Sequence, residues 1–302
     1  MAVALSVIIP VLNRAGHIGR AIASVTSQTV GNLEIIVVDG GSTDGTQEVA
    51  ASLPQVRLID APGTSIYEAL NIGIKNASGP IINHLNSDDR LLPDSLSVVL
   101  KAADSHPAAA VVRGCAAYAT PDRQAAHAAP TDYCHHQQTL DIREVTLGWP
   151  AINSCFIRAQ TYRTVGLYDE SLRIAADREW LLRALLAGVS FHFVDQPVYE
   201  YLLHDQSMTM GSKSPAEARY AREHLAIAAR YLARPPDAKT ARILRTWHAK
   251  EMVRLLLRTR TTDGLRADIS RAFKLSPLWP VLSVAPLLQV VRRRLRWRVS
   301  IE

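Results

Sequence analysis

A doubly wound α/β fold, with a mostly parallel sheet covered by helices, is what the sequence predicts, on two observations. Short apolar runs alternate with amphipathic stretches of helical length through the first hundred residues. The runs are continuous and β-branched, as strands are when helices cover both faces of a sheet, and the alternation implies right-handed βαβ crossovers.

Taken in order, Leu5 to Ile9 reads as a strand, His17 to Gln28 as a helix, Glu34 to Val38 as a strand and Thr46 to Leu53 as a helix. Val56 to Ile59 follows as a strand, Ser65 to Ala77 as a helix and Pro80 to Leu85 as a strand. After a helix at Asp94 to Ala103 and a strand at Ala110 to Arg113, residues 118–145 show no period and read as loop. Regularity returns at Ser154 to Arg158, in a short helix at Gln160 to Val165 and in a helix from Ala176 to Ala187. Residues 204–214 read as loop. Beyond them, 215–233 and 238–260 carry Leu, Ile and Ala at helical spacing among many arginines, and no internal repeat is visible.

The 302 residues are 48% hydrophobic and 21% charged, which excludes disordered and fibrous classes. Cys115, Cys134 and Cys155 are odd in number and share no CxxC spacing, so neither a disulfide scaffold nor a zinc ribbon is expected and a reducing cytoplasm fits. The apolar run Ala2 to Leu12 lacks a basic leader and a cleavage site, and Pro10 interrupts it, so it does not read as a signal peptide. No run of 18 apolar residues suggests a conventional spanning helix. The net charge of +6 hides a split: residues 1–212 carry a net of −7, residues 213–302 a net of +13.

In an open parallel sheet, ligands collect beyond the carboxyl ends of the strands. Three acidic features fall there. Glu34-Ile-Ile-Val-Val-Asp39 ends in a carboxylate ahead of a glycine turn; Asp39 either accepts hydrogen bonds from a nucleotide or only orders the turn. Leu85-Asn-Ser-Asp-Asp89 offers hard oxygen ligands suited to Mg²⁺ shared with phosphates, or a loop leading into the next helix. Asp177 and Glu179 open an apolar helix, where a carboxylate serves as a general base or merely complements the helix dipole.

Together with Ser6-Val-Ile-Ile-Pro-Val-Leu-Asn-Arg14, Ser65-Ile-Tyr-Glu-Ala-Leu-Asn-Ile-Gly73 and Gly166-Leu-Tyr-Asp-Glu170, these features in this order resemble the family 2 inverting glycosyltransferases of bacterial surface-polysaccharide assembly. The resemblance covers roughly residues 4–205 and implies the nucleotide-sugar-binding fold called GT-A. It also implies a catalytic domain at 1–212, with a donor-binding half to about 115 and an acceptor-side half from 116, then a basic helical extension at 213–302.

By the same resemblance Asp39 binds the nucleotide base, with Pro10, Asn13 and Arg14 in the loop alongside, and Asn71 and Tyr67 approach the donor. Asn86 and Ser87 stand in the family's Asp-x-Asp motif with Asp88, which would hold Mg²⁺ or Mn²⁺ on the donor diphosphate. Asn86 replaces the motif's first carboxylate. Asp177 matches the base that deprotonates an acceptor hydroxyl, Glu179 being the alternative, and His204 sits where relatives often carry a histidine reaching the metal. Similar proteins often have His-Gln near Ile152 and Asn153. Trp149 and Trp180 either line the acceptor cleft or are buried. Cys134-His135-His136 is read as structural or incidental. A rival reading is a non-catalytic sugar-nucleotide-binding or membrane-scaffold protein of the same fold. A dehydrogenase or nucleotidyltransferase would need a glycine-rich phosphate loop that Pro10 to Arg14 does not provide.

Residues 275–298 combine an apolar body, Trp279, Trp297, three prolines and five arginines. They read as a segment lying on an anionic membrane rather than crossing it, or as a helix packed on the protein. No nucleic-acid recognition motif accompanies the charge. The expected partners are a nucleotide-sugar donor, a glycan or polyprenyl-linked acceptor and, through 275–302, the cytoplasmic face of the inner membrane.

Overall fold

The computed structural model describes residues 2–53, 55–119, 132–133, 140–203, 216–258, 265–275 and 279–282. The chain forms two compact units, one from residues 1–141 and 150–210 and the other from residues 142–149 and 211–302.

The first unit is built on one mixed sheet. Strands β1 (Leu5–Val11), β2 (Leu33–Asp39), β3 (Val56–Asp60) and β4 (Ile81–His84) stand side by side in the order β3-β2-β1-β4, all parallel. Strand β8 (Cys155–Arg158) then runs antiparallel between β4 and β6 (Val111–Ala119). Beyond β6 lie β9 (Phe191–Leu202), parallel to it, and the two-residue β5 (Arg90–Leu91) at the edge; β7 (Asp132–Tyr133) pairs with β6.

Helix α1 (Ala15–Thr26) covers the sheet with Ile18, Ala21, Ile22 and Val25, the apolar stripe of a 3.6-residue repeat. Helix α2 (Thr46–Ala51) follows β2. Helix α3 (Ile66–Asn76) starts from a capping box in which Ser65 and Glu68 satisfy each other's backbone N–H. It lies so close to β1 that a Cβ on Gly73 would stand 2.3 Å from Ile8 Cγ2. Helices α4 (Ser95–Ser105), α6 (Ala159–Val165) and α7 (Ala176–Leu186) complete the cover.

Strand β9, with 12 residues, has no counterpart among the elements expected from sequence. Its pairing with β6 slips in register around Cys115, which lies opposite Pro197, and a Cβ on Gly114 would stand 2.5 Å from Val198 Cγ2. A proline at a bulge and a glycine beneath it blur the alternation that marks a strand.

The second unit is helical. It comprises α5 (Ile142–Leu147), drawn from the stretch read as loop, with α8 (Ala216–Leu232), α9 (Ala238–Arg258), α10 (Leu265–Leu275) and α11 (Trp279–Leu282). Ala221, Leu225, Ala249, Met252, Leu255 and Ala272 form its core. Buried Glu251 lies 3.4 Å from His224 and 2.9 Å from Arg254; burial pushes its carboxyl up, but His224 and Arg254 bring it down to about 2. Lys250 Nζ donates to Leu147 O at 3.0 Å, fastening α5 to α9. No described helix is long and apolar enough to cross a membrane, and of the tail only 275 and 279–282 are described.

Candidate active site

The carboxyl ends of the parallel strands meet at one edge. Register places Val11, Asp39 and Asp60 next to one another, and β4 ends beside β1, where Leu85 N donates to Ile8 O at 2.9 Å. The loops after β1 and β2 are laced together there. Asn13, at φ 52, accepts from Thr43 N at 2.9 Å through Oδ1 and donates its own N–H to Ser42 Oγ at 2.8 Å. Arg14 N donates to Thr46 Oγ1 at 2.8 Å. Pro10 is buried within β1, so the exposed part of the predicted loop is Leu12 and Asn13.

Asp39 is fully buried. Its Oδ1 accepts from Gly41 N at 2.7 Å, Ser42 N at 2.6 Å and Gln47 Nε2 at 3.3 Å, while Oδ2 is buried without a hydrogen-bond partner among the described residues. The turn that delivers these donors needs Gly41, whose φ is +98. Burial pushes the Asp39 carboxyl up, but the hydrogen bonds from Ser42, Gln47 and Gly41 outweigh it and hold the group below the usual carboxylate range. The group is thus a fixed anion with one buried oxygen open to a donor.

In the loop after β4 the two adjacent aspartates divide their tasks. Asp89 is buried: Oδ2 accepts from Asn86 Nδ2 at 2.8 Å and from Tyr199 Oη at 2.7 Å, and Oδ1 accepts from Leu202 N at 2.8 Å. Burial, and then the charge of Asp88, raise its carboxyl to about 7. Asp88 is partly exposed and Ser87 buried. Tyr199 also accepts from Asn86 N at 3.1 Å and Asn153 Nδ2 at 2.9 Å, so the loop is tied to β9 and to the segment before β8. Asp88 and Asn86 offer only hard oxygen donors of the kind Mg²⁺ and Mn²⁺ take, and one carboxylate plus substrate phosphates fits such an ion; among the described residues no three of His, Cys, Asp and Glu cluster as a cage. His204 and Cys134, His135 and His136 lie outside the described residues.

Asp177 is the second residue of α7 and half-buried. Its Oδ1 accepts from Arg178 N at 2.8 Å and from Tyr67 Oη at 3.1 Å. Burial raises its carboxyl above the ordinary value, against the opposing pull of Arg178 and Tyr67. Because Tyr67 is the second residue of α3, which starts just after β3, Asp177 stands at the same edge as Asp39 and Asp88. Glu179 is different: it is buried in an ion pair with Arg183 at 2.9 Å, and Arg183 also donates to Leu167 O at 2.7 Å.

Asn71 is engaged within the protein: its Nδ2 donates to Tyr168 O at 3.0 Å and Glu170 Oε1 at 2.9 Å, and its Oδ1 accepts from Tyr168 N at 3.0 Å, so it clamps the loop before α7. Trp180 is fully buried and donates to Gly166 O at 2.8 Å, a core residue, while Trp149 is 48% exposed. His84, kept neutral by burial that lowers it to about 3, lies within hydrogen-bond distance of Tyr162 and Tyr168. The pattern of the sequence did not bring out Tyr199 or His84, and offered Asp89 only as one of an acidic pair at a strand end.

The sequence profile described as Glycosyl transferase family 2 matches residues 6–157, just over half of the chain. The chain belongs to that family. An uncharacterized glycosyltransferase of Rickettsia typhi is 29% identical to this family 2 chain over 210 residues, 68% of this chain and 65% of its own length. A chondroitin synthase of Pasteurella multocida is 40% identical over 101 residues, 32% of this chain and 10% of its own. The chain thus spans less than two thirds of the length of either relative. Among solved structures, S. aureus TarS 1-349 in complex with UDP-GlcNAc aligns with a TM-score of 0.68 at 16% identity, covering 94% of this chain and 88% of that 1-349 chain. The mannosyltransferase PcManGT from Pyrobaculum calidifontis, in complex with GDP-Man and Mn²⁺, aligns at 0.58 and 15%, covering 98% and 88%. These likenesses concern the fold, and the fold is GT-A.

Proposed function

We propose that this family 2 protein is an inverting glycosyltransferase that moves a sugar from a nucleotide-sugar donor to a hydroxyl of a glycan or lipid-linked acceptor, in bacterial surface-polysaccharide or glycolipid assembly. The observation that carries the reading is the pairing, at one sheet edge, of a permanently charged carboxylate with an open buried oxygen, Asp39, and a carboxylate of raised proton affinity, Asp177. The nucleotides in the TarS and PcManGT complexes support a nucleoside-diphosphate sugar as donor.

In this reading Asp39 Oδ2 accepts an N–H of the nucleotide base, beside the loop Pro10 to Arg14. Asp88, with Asn86 and Ser87 beside it and His204 as a further ligand, would hold Mg²⁺ or Mn²⁺, whose charge offsets that of a departing diphosphate. Asp177 takes the proton of the acceptor hydroxyl as its oxygen attacks the anomeric carbon. The carbon–oxygen bond to the diphosphate breaks on the opposite side, and the anomeric centre inverts. One base suffices, and Glu179, committed to Arg183, leaves Asp177 to serve. Asp177→Asn keeps the shape of the site and removes the proton acceptor: transfer should fall by about 10³-fold or more, while binding of UDP-GlcNAc or GDP-Man, whichever the wild type takes up with Mn²⁺, stays within about threefold. Transfer at the wild-type rate would refute the assignment.

The basic tail is read as a peripheral anchor on the cytoplasmic face of the inner membrane, supported by the +13 charge of residues 213–302. Removal of residues 283–302 should move the protein from the membrane to the soluble fraction on centrifugation; unchanged sedimentation with membranes would exclude that role.

A further inference from the structure

The face of α3 that carries Tyr67 and Asn71, one turn apart, grips both ends of the loop leading into α7. Asn71 fastens Tyr168 and Glu170, and Tyr67 Oη stands 2.7 Å from Ile174 O and 3.1 Å from Asp177 Oδ1. The tyrosine is 5% exposed and its ring packs 5.6 Å from that of Tyr168, so its hydroxyl has little freedom. Among the described residues, the titratable and charged groups facing Asp177 include Tyr67 from α3, Tyr168 from the loop and Arg178 from its own helix.

A phenol has one proton, and both Ile174 O and Asp177 Oδ1 stand within its reach. An ionised carboxylate is a stronger acceptor than a backbone carbonyl, so the proton turns to Asp177 while the acid is charged. Once Asp177 has taken up a proton, the hydroxyl falls back on Ile174 O. The buried Tyr67 hydroxyl thus keeps an acceptor in either state. We propose that Tyr67 is a positioning residue for Asp177, holding the carboxylate in one orientation and stabilising its charged form while adapting to its protonated one. The proposal rests on the reading of Asp177 as the base for its catalytic meaning, but not for its physical content.

The test is a titration of the full chain labelled with ¹³Cγ-aspartate, followed by NMR, with the Asp177 resonance identified by its loss in Asp177→Asn. Tyr67→Phe removes one oxygen and keeps the ring. Its Asp177 midpoint should move up by about one pH unit, the worth of one hydrogen bond to a charged group, and transfer should fall about tenfold or more with the donor KM unchanged. Tyr67→3-fluorotyrosine, a more acidic phenol and a stronger donor that keeps every contact, should move the midpoint down. Midpoints that coincide with wild type in both variants overturn the proposal. An Asp177→Asn protein that still transfers sugar overturns the base instead, and leaves the shifted midpoints standing.

Discussion

The two sides of the sheet-bearing unit treat their acids in opposite ways. On the parallel side, hydrogen bonds from Ser42 and Gly41 in the adjoining turn and from Gln47 hold the Asp39 carboxyl below its ordinary range against the effect of burial. On the other side, burial raises the proton affinity of Asp177, against the opposing pull of Arg178 in its own helix and of the Tyr67 hydroxyl from α3. A donor nucleotide needs a fixed acceptor, whereas a base must change its charge during the reaction. The difference teaches that a local turn suffices for binding, and that tuning requires tertiary structure.

Two changes on the donor side would sharpen that contrast. Asp88→Ala, or excess chelator on the wild type, should have the larger effect, lowering transfer by about 10³-fold, because the departing diphosphate then lacks its counter-charge; full activity in chelator would separate Asp88 from the chemistry. Asp39→Asn should be milder. The amide oxygen can still receive the Gly41 and Ser42 N–H groups, but its NH₂ presents a donor where Oδ2 accepted, so nucleotide affinity should fall about 10- to 100-fold with little change in kcat. A loss confined to kcat, measured by donor titration, would place Asp39 with the base rather than with binding.

What could be read from the sequence follows the same division. Strands β1 to β4 and the helices between them were legible because each bears its own apolar period, and Asp39 and Asn86 to Asp88 were legible as residues at strand ends. On the other side, contacts bridge long stretches of chain. Arg90 pairs with Glu200 at 2.6 Å, and Tyr199 donates to Asp89, each 110 residues apart in sequence. No local pattern announces such a pair. The sequence places Asn71 on a helix near the donor but does not show its neighbours; buried, its amide needs partners in the protein, and the loop at Tyr168 supplies them. Trp180 and Glu179 were ambiguous for the same reason. Their neighbours, not their types, decide their roles.

Helix α5 is separated by a long interval from the helices it joins. Its anchor to α9, from Lys250 to Leu147, joins two residues of the helical unit that are 103 apart in sequence. At ribosomal speeds of about 5–20 residues per second, that partner emerges roughly 5–20 s after α5 itself. Through that interval the nascent chain carries α5 without this anchor, and Leu147 O waits for the Lys250 donor.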